Sequence, residues 1–378
     1  MKIHLVAPAL PPIFDGIGDY SAHIARELVA SVQVTVLTTT TARCDPIDGV
    51  RIVPTFNTRH RRSVRKIGQI IADDRPDWVV LQFNQFSYGR WGLNPWLPLV
   101  LRKAVRKNPG CRLAVMFHED FVWPANWKFA IMQQWQRWQF KALGRAAHLV
   151  FFSIDPWVKK YGGWFPGKPV LHLPVGSNIP KVQITREEAR QRLGIKPSQI
   201  VLGLFGLVNG GRNAQWLTAA IEAAKQSQRD VVLLYIGAHG QVVRSVASGN
   251  PIIADGPFPG DEVSRRLAAI DVFLSPLGDG VSTRRGSMMA GLQHGLATVG
   301  TRGWATDDML AVEHQRSIML ADVNSLEEYK SLVSELIEDG QLREQIGKGA
   351  AALYEREFDW PRIAARMLDA LKAASAAG

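Results

Sequence analysis

Cysteine is almost absent from this 378-residue chain: Cys44 and Cys111 are the only two. Two thiols build neither a disulfide framework nor a zinc cluster. No run reaches the ~18 apolar residues a membrane-spanning helix needs. The cluster Trp96, Leu97, Leu99, Val100 and Leu101 is closed early by Arg102 and Lys103. Met1-Lys2 leads straight into Ile3-His4-Leu5-Val6-Ala7, too short for a signal-peptide core and readable as a buried strand. There is no fixed-period repeat and no Asp-x-Asp pair, and low complexity is confined to the Ala-rich tail from Ala370. The expectation is a cytoplasmic protein that meets any membrane from its surface.

Acidic residues are scarce in one half only. Residues 1–180 hold 23 Lys+Arg against 11 Asp+Glu, a net +12, whereas residues 181–378 hold 22 against 23, a net −1. The whole-chain charge of +11 therefore belongs to the first half. Such asymmetry marks a partner surface on one domain, either nucleic acid or anionic membrane. A nucleic-acid partner would call for a docking module or an exposed basic–aromatic platform. Neither is legible here, so nucleic acid is not expected.

What is present is a strand–helix alternation that runs through both halves. Strands are expected at 3–7, 32–38, 78–82, 113–118 and 148–152, then at 200–205, 231–236, 272–274 and 297–300. Helices are expected at 20–29, 64–73, 214–226, 261–269, 286–294 and 326–338. Apolar strands alternating with helices make a parallel sheet covered on both faces. Two such series in a chain of this length make an α/β protein of two Rossmann-like, doubly wound domains. Ligands bind such sheets at the carboxyl ends of the strands, and two facing domains would place them in a central cleft. The Pro/Gly-rich turn at 173–180 sets the first domain at 1–178. A linker at 179–195, a second domain at 196–355 and a last segment at 356–378 follow.

Four stretches carry candidate chemistry. After the first strand, Asp15-Gly16-Ile17-Gly18-Asp19-Tyr20 opens a helix. A glycine turn at a helix start lets backbone N–H groups approach an anion, but Gly-x-Gly alone is not a dinucleotide fingerprint. His118 ends a strand, where a titratable ring can position sugar hydroxyls or buffer charge. Phe205-Gly206 to Arg212 joins a strand to a helix, and Arg212 suits a diphosphate through charge-assisted hydrogen bonds. Finally, Asp279-Gly280-Val281-Ser282-Thr283-Arg284-Arg285-Gly286-Ser287 precedes a helix. Arginines are disfavoured at a helix N-terminus by the dipole, and an anionic ligand would offset that cost.

The basic half also has a run Arg59-His60-Arg61-Arg62-Ser63-Val64-Arg65-Lys66, with Val64, Ile67, Ile70 and Ile71 as an apolar stripe behind the cations. Nine of the twelve tryptophans lie between Trp78 and Trp164. Trp123, Trp127, Trp135 and Trp138 recur at near-helical spacing, which suits either a core face or a bilayer interface.

Together and in this order, these stretches resemble a retaining GT-B glycosyltransferase close to glycosyltransferase family 4, nearly end to end. Gly16-Ile17-Gly18 is similar to that family's first loop. Phe205-Gly206 to Arg212 is similar to its first C-domain loop. Gly295-Leu296-Ala297-Thr298-Val299 stands where Gly-Leu-Pro-Val-Val is usual. Phe358-Asp359-Trp360 resembles the start of the final helix that crosses back onto the N-domain. The departures are Leu207 for the usual Arg, Arg212 for the usual Lys, and the loss of two glutamates eight positions apart. The places of those glutamates fall on Ser282 and Ala290 or on Asp279 and Ser287.

The resemblance implies transfer of a hexose, with retention, from a UDP- or GDP-sugar to a glycan or lipid-linked acceptor in cell-envelope polysaccharide synthesis. The alternative is a catalytically silent GT-B protein that binds nucleotide sugar as a partner or scaffold. Neither a cofactor nor a metal is expected. Gly16, Arg212, Ser282, Thr283, Arg284 and Arg285 would meet the diphosphate. Gly206, Gly237, Phe258, Pro259 and Ser287 would hold the nucleotide, and Ile17, Gly18, Asp19, Tyr20 and His118 the acceptor. His118, Arg212, Arg284 and Arg285 would act in catalysis. The basic N-domain would rest on the anionic inner face of the membrane, as lipid-linked acceptors are common in this family.

Overall fold

Strands that read as unbroken apolar runs lie in the middle of two sheets. The computed structural model describes residues 1–40, 44–206, 214–247 and 249–376. The first sheet contains β1 (Lys2–Val6), β2 (Gln33–Thr39), β3 (Arg51–Phe56), β4 (Trp78–Phe83), β5 (Arg112–Phe117), β6 (Leu149–Phe152) and β7 (Val170–His172). The second contains β8 (Ile200–Phe205), β9 (Val231–Ile236), β10 (Ile252–Asp255), β11 (Val272–Ser275), β12 (Ala297–Arg302) and β13 (Met319–Asp322). Every described pairing is parallel. The orders are β3-β2-β1-β4-β5-β6-β7 and β10-β9-β8-β11-β12-β13. Each order reverses once, between β1 and β4 and between β8 and β11, and those reversals are the ligand-binding switch points of doubly wound sheets. The fold class expected from the sequence is the one observed.

The chain divides into two units, Met1–Pro174 with Trp360–Gly378, and Val175–Asp359. This corrects the expected boundaries, chiefly the linker at 179–195. That segment is core: Ile179, Ala189 and Ile195 are buried in the second unit. Its helix Arg186–Arg192 is fixed by a capping box of Thr185 and Glu188. Arg190 is buried and donates to the buried Asp271 carboxylate, which also accepts from Val201 N–H at 2.8 Å. A hydrogen-bonded buried pair is costly to break, so the segment is held in place.

The last helix, Trp360–Ala376, begins with Pro361 in its first turn, where a missing N–H costs nothing. It is tied to the first unit by Trp78 Nε1 donating to Ser375 Oγ at 3.0 Å and Arg112 Nη2 to the Ser375 carbonyl at 3.2 Å. Among the described residues, no helix is long and apolar enough to cross a membrane.

Candidate functional site

At the second unit's switch point, the loop after β11 is strapped onto the loop after β12. Val281 N–H donates to the Thr301 carbonyl at 2.7 Å, and Leu277 N–H to Thr301 Oγ1 at 2.9 Å. Thr283 N–H donates to the buried Asp307 carboxylate at 2.7 Å. Gly280 sits at φ +91°, and a Cβ there would overlap the Thr306 hydroxyl. Only glycine fits such a turn cheaply.

This scaffold presents Arg284 and Arg285 at the start of the helix Gly286–Gln293. Both guanidiniums donate to Asp279, Arg284 at 2.7 Å and Arg285 at 3.0 Å. The two guanidiniums share the Asp279 carboxylate beside a helix N-terminus. Arg285, the residue before the first turn, makes no capping hydrogen bond with its own side chain. Among the described residues, the buried Ser282 hydroxyl has no hydrogen-bond partner. A buried polar atom left unpaired is costly, and here it adds a donor to those at the helix start.

Gly206, at the end of β8 with φ +107°, completes the switch point: a Cβ on it would lie 3.4 Å from the Ser287 Cβ. The neighbouring strand ends are as closely packed. A Cβ on Gly237 would come within 2.6 Å of the Gly206 carbonyl, to which the Tyr235 hydroxyl donates at 2.7 Å. Phe258, after β10, is half-buried, with the Arg266 guanidinium 4.0 Å from its ring centroid, and Pro259 precedes the helix Gly260–Leu267. Ser282, Thr283, Arg284, Arg285, Ser287 and Gly206 are thus gathered in one place, with Gly237 against Gly206. Arg212 and Leu207 lie outside the described residues.

In the first unit the expected residues collect at the carboxyl ends of β1 and β5. The helix Gly16–Leu28 is capped by Asp15, whose carboxylate accepts from Gly18 N–H at 2.7 Å. Gly18 runs so close to Ala9 that a Cβ would sit 3.1 Å from its carbonyl, whereas Gly16 faces open space. The capping carboxylate already fills the anion-attracting end, so the expected phosphate contact of Gly16 meets a like charge. Ile17 and Asp19 are half-buried. Tyr20 is buried, its ring edge-on to His118 at 4.8 Å and to Trp360 at 5.5 Å. Burial raises its phenol far above the ordinary value.

His118 Nε2 lies 2.8 Å from Gln82 Oε1. That carbonyl oxygen can only accept, so Nε2 donates and the lone pair is on Nδ1. Burial pushes the His118 pKa down to about 3. This corrects the expectation that the ring buffers charge: it is a neutral hydrogen-bonding group throughout the physiological range.

Three contributing residues escaped the sequence reading: Asp15, Gln82 and Asp307. Asp15 carried a signal, since an Asp directly before a helix start is a capping residue. Asp307 and Gln82 reach their partners only through the fold. Among the described residues, no three His, Cys, Asp or Glu side chains gather as a metal site.

No family model and no curated protein matches the chain. Solved structures do match over its full length. Sucrose-phosphate synthase from Thermosynechococcus elongatus superposes with TM-score 0.74 at 14% identity, covering 100% of both chains. Anabaena HepE in complex with UDP and glucose gives 0.71 at 16%, covering 99% of this chain and 100% of its own. WaaG, a glycosyltransferase involved in lipopolysaccharide biosynthesis, gives 0.67 at 14%, covering 98% and 99%. At these identities the likeness establishes architecture: two parallel-sheet Rossmann-like domains in the GT-B fold.

Proposed function

We propose that the protein is a retaining, metal-independent GT-B glycosyltransferase. It moves a hexose from a UDP- or GDP-sugar to a glycan or lipid-linked acceptor in cell-envelope polysaccharide synthesis. One observation carries the reading: a helix start at the second unit's switch point that bears Arg284, Arg285 and the buried Ser282 hydroxyl. HepE, which shares the fold, was solved with UDP and glucose, and WaaG acts in lipopolysaccharide biosynthesis. Both support the substrate class.

Departure of the nucleoside diphosphate places charge on its β-phosphate. Arg284, Arg285, Arg212, Ser282, Thr283 and the first amides of Gly286–Gln293 stabilise that charge where it develops. These cations and the helix dipole supply the charge that a metal ion would otherwise bring. The base lies against Gly237, Phe258 and Pro259, with Gly206 and Ser287 under the ribose and phosphates. The first unit serves the acceptor through Ile17, Gly18 and Asp19, with Tyr20 as packing. Neutral His118 accepts a sugar hydroxyl at Nδ1. Asp279 is engaged by two arginines and does not act as a nucleophile. Transfer therefore proceeds on one face, with the leaving phosphate taking the acceptor's proton. An anionic membrane surface presents the lipid-linked acceptor to the basic first unit.

A thermal-shift screen against UDP-, GDP- and ADP-sugars tests the reading. A donor at a hundred times its Kd stabilises by ~2.7 kcal/mol, and product NMR then reports the anomeric configuration. No shift with any nucleotide sugar refutes the proposal, and an inverted product refutes retention alone. A shift with neither transfer nor hydrolysis favours a silent binding partner.

A further inference from the structure

The helix Trp127–Ala146 leaves a tryptophan ridge to solvent. Its buried face mixes Met132, Phe140 and Leu143 with Gln136 and Gln139, while Trp127, Ile131 and Trp138 are 69%, 51% and 47% exposed. These three stand at i, i+4 and i+11 and so share one face. Trp123, just before the helix, is 81% exposed.

The two buried glutamines fix this orientation. Gln139 clamps the 88–94 loop, donating to the Gly92 carbonyl at 2.6 Å and accepting from Asn94 N–H. Gln136 accepts from Val122 N–H at 2.9 Å. The face that bears Phe140, Leu143 and the two glutamines is thereby fixed in the interior, and the tryptophan ridge is left to solvent. Exposed apolar patches of this kind mark interaction surfaces.

The patch continues into cations. Trp135 Nε1 donates to the Trp91 carbonyl at 2.9 Å, and the Arg90 guanidinium lies 5.8 Å from the half-exposed Trp91 ring. Arg90 in turn lines a hollow of about 500 Å³ with Arg59, His60, Arg61, Arg62 and Trp96. Lys128 sits 5.6 Å from the Trp127 ring. From residue 78 to residue 154 the only acids are Glu119 and Asp120, and Asp120 accepts from the Tyr161 hydroxyl at 2.7 Å.

We propose that this face docks on an anionic bilayer. Trp123, Trp127, Ile131 and Trp138 enter the interfacial region, and Arg59, Arg61, Arg62 and Arg90 meet lipid phosphates. Tryptophan favours that depth, and cations beside it add attraction to anionic headgroups. A bilayer fits better than nucleic acid because aliphatic Ile131 lies in the middle of the ridge and offers no ring for a base to stack on. The inference deepens the membrane part of the proposed function, naming the face and adding insertion to charge attraction. It does not depend on the chemistry of the second unit.

The test is flotation of the full chain with vesicles of phosphatidylcholine alone or mixed equally with phosphatidylglycerol. Wild type floats with the mixed vesicles, its tryptophan emission moves to the blue, and salt weakens the binding. The variant Trp127→Ser/Ile131→Ser/Trp138→Ser partitions at least about tenfold more weakly with an unchanged melt, and Trp138→Phe alone retains most binding. Arg61→Glu/Arg62→Glu loses the preference for phosphatidylglycerol. The proposal is overturned if wild type does not float, or if the triple variant floats like wild type. Tighter binding to a single-stranded oligonucleotide than to mixed vesicles, lost in the triple variant, also overturns it. The nucleotide-sugar thermal shift, run on the same samples, stays intact in the triple variant. Its absence from wild type counts against the proposed chemistry and leaves this surface standing.

Discussion

Asp279→Asn separates the stability of the candidate site from its function. The Asp279 carboxylate holds Arg284 at 2.7 Å and Arg285 at 3.0 Å. The Arg284 side chain is nearly buried, so its charge-assisted bond contributes about 1.5–3 kcal/mol. The Arg285 side chain is one-third exposed, and its bond adds under about 1 kcal/mol. Asparagine keeps the shape and one acceptor but loses the charge, for a net loss of about 2 kcal/mol. In a unit of this size that lowers Tm by about 4–8 °C. A diphosphate then binds both guanidiniums without displacing a carboxylate. The donor-induced rise in Tm should therefore be larger in the variant than in wild type, by up to the same 4–8 °C or so. Differential scanning fluorimetry with and without the donor reads both quantities. An equal donor-induced rise in the two proteins would refute the reasoning, because arginines that never meet the donor cannot report the loss of their carboxylate.

Three further outcomes are expected. Arg190→Ala leaves the Asp271 carboxylate buried with Val201 N–H and the half-exposed Arg186 as partners. It should cost about 3 kcal/mol in urea unfolding, with Arg190→Met/Asp271→Ala recovering part of the loss; a cost under about 1 kcal/mol would mean that residues 179–195 are a loose linker after all. Gly280→Ala places a methyl on the Thr306 hydroxyl at positive φ. It should destabilise by about 2 kcal/mol or more and abolish the donor-induced shift. Burial holds His118 near 3 and His4, His23 and His172 near 4, although the Asp74 carboxylate 3.3 Å from His4 opposes the effect there. Their pKa values in the unfolded chain lie near 6.5, so the unfolded state binds more protons between pH 6.5 and about 4. The first unit should therefore lose stability as the pH falls through that window, and a Tm constant from pH 7 to pH 5 would contradict this.

The nine strands legible in the sequence are the interior ones, and the four that were missed, β3, β7, β10 and β13, are the sheet edges. An interior strand is covered on both faces and flanks, as in the wholly buried Trp78–Phe83, and reads as an apolar run. The edge strands β3, β7 and β10 are part-exposed, β3 with Pro54 in it, whereas β13 is only four residues long although Met319, Leu320 and Ala321 are buried. The candidate anion-site stretch stood out in the sequence because arginines at a helix start contradict the dipole. Its support did not: Asp307 and Thr301 come from elements more than fifteen residues away and meet the loop only in the folded unit. The exposed tryptophan ridge was hidden for a related reason. Tryptophans at helical spacing fit a core as well as a surface, and only the folded packing of Phe140, Leu143 and the two glutamines decides between them.

The most direct measurement is nucleotide-sugar turnover by wild type and by Arg284→Ala/Arg285→Ala, with binding of the same donor followed by calorimetry. If each arginine supplies charge-assisted contacts worth a few kcal/mol in the transition state, as proposed, the double variant should fall by at least about a thousandfold in turnover. It should also lose most of its donor affinity. Near-normal turnover in the double variant, or a wild type that neither binds nor cleaves any nucleotide sugar, would contradict the account.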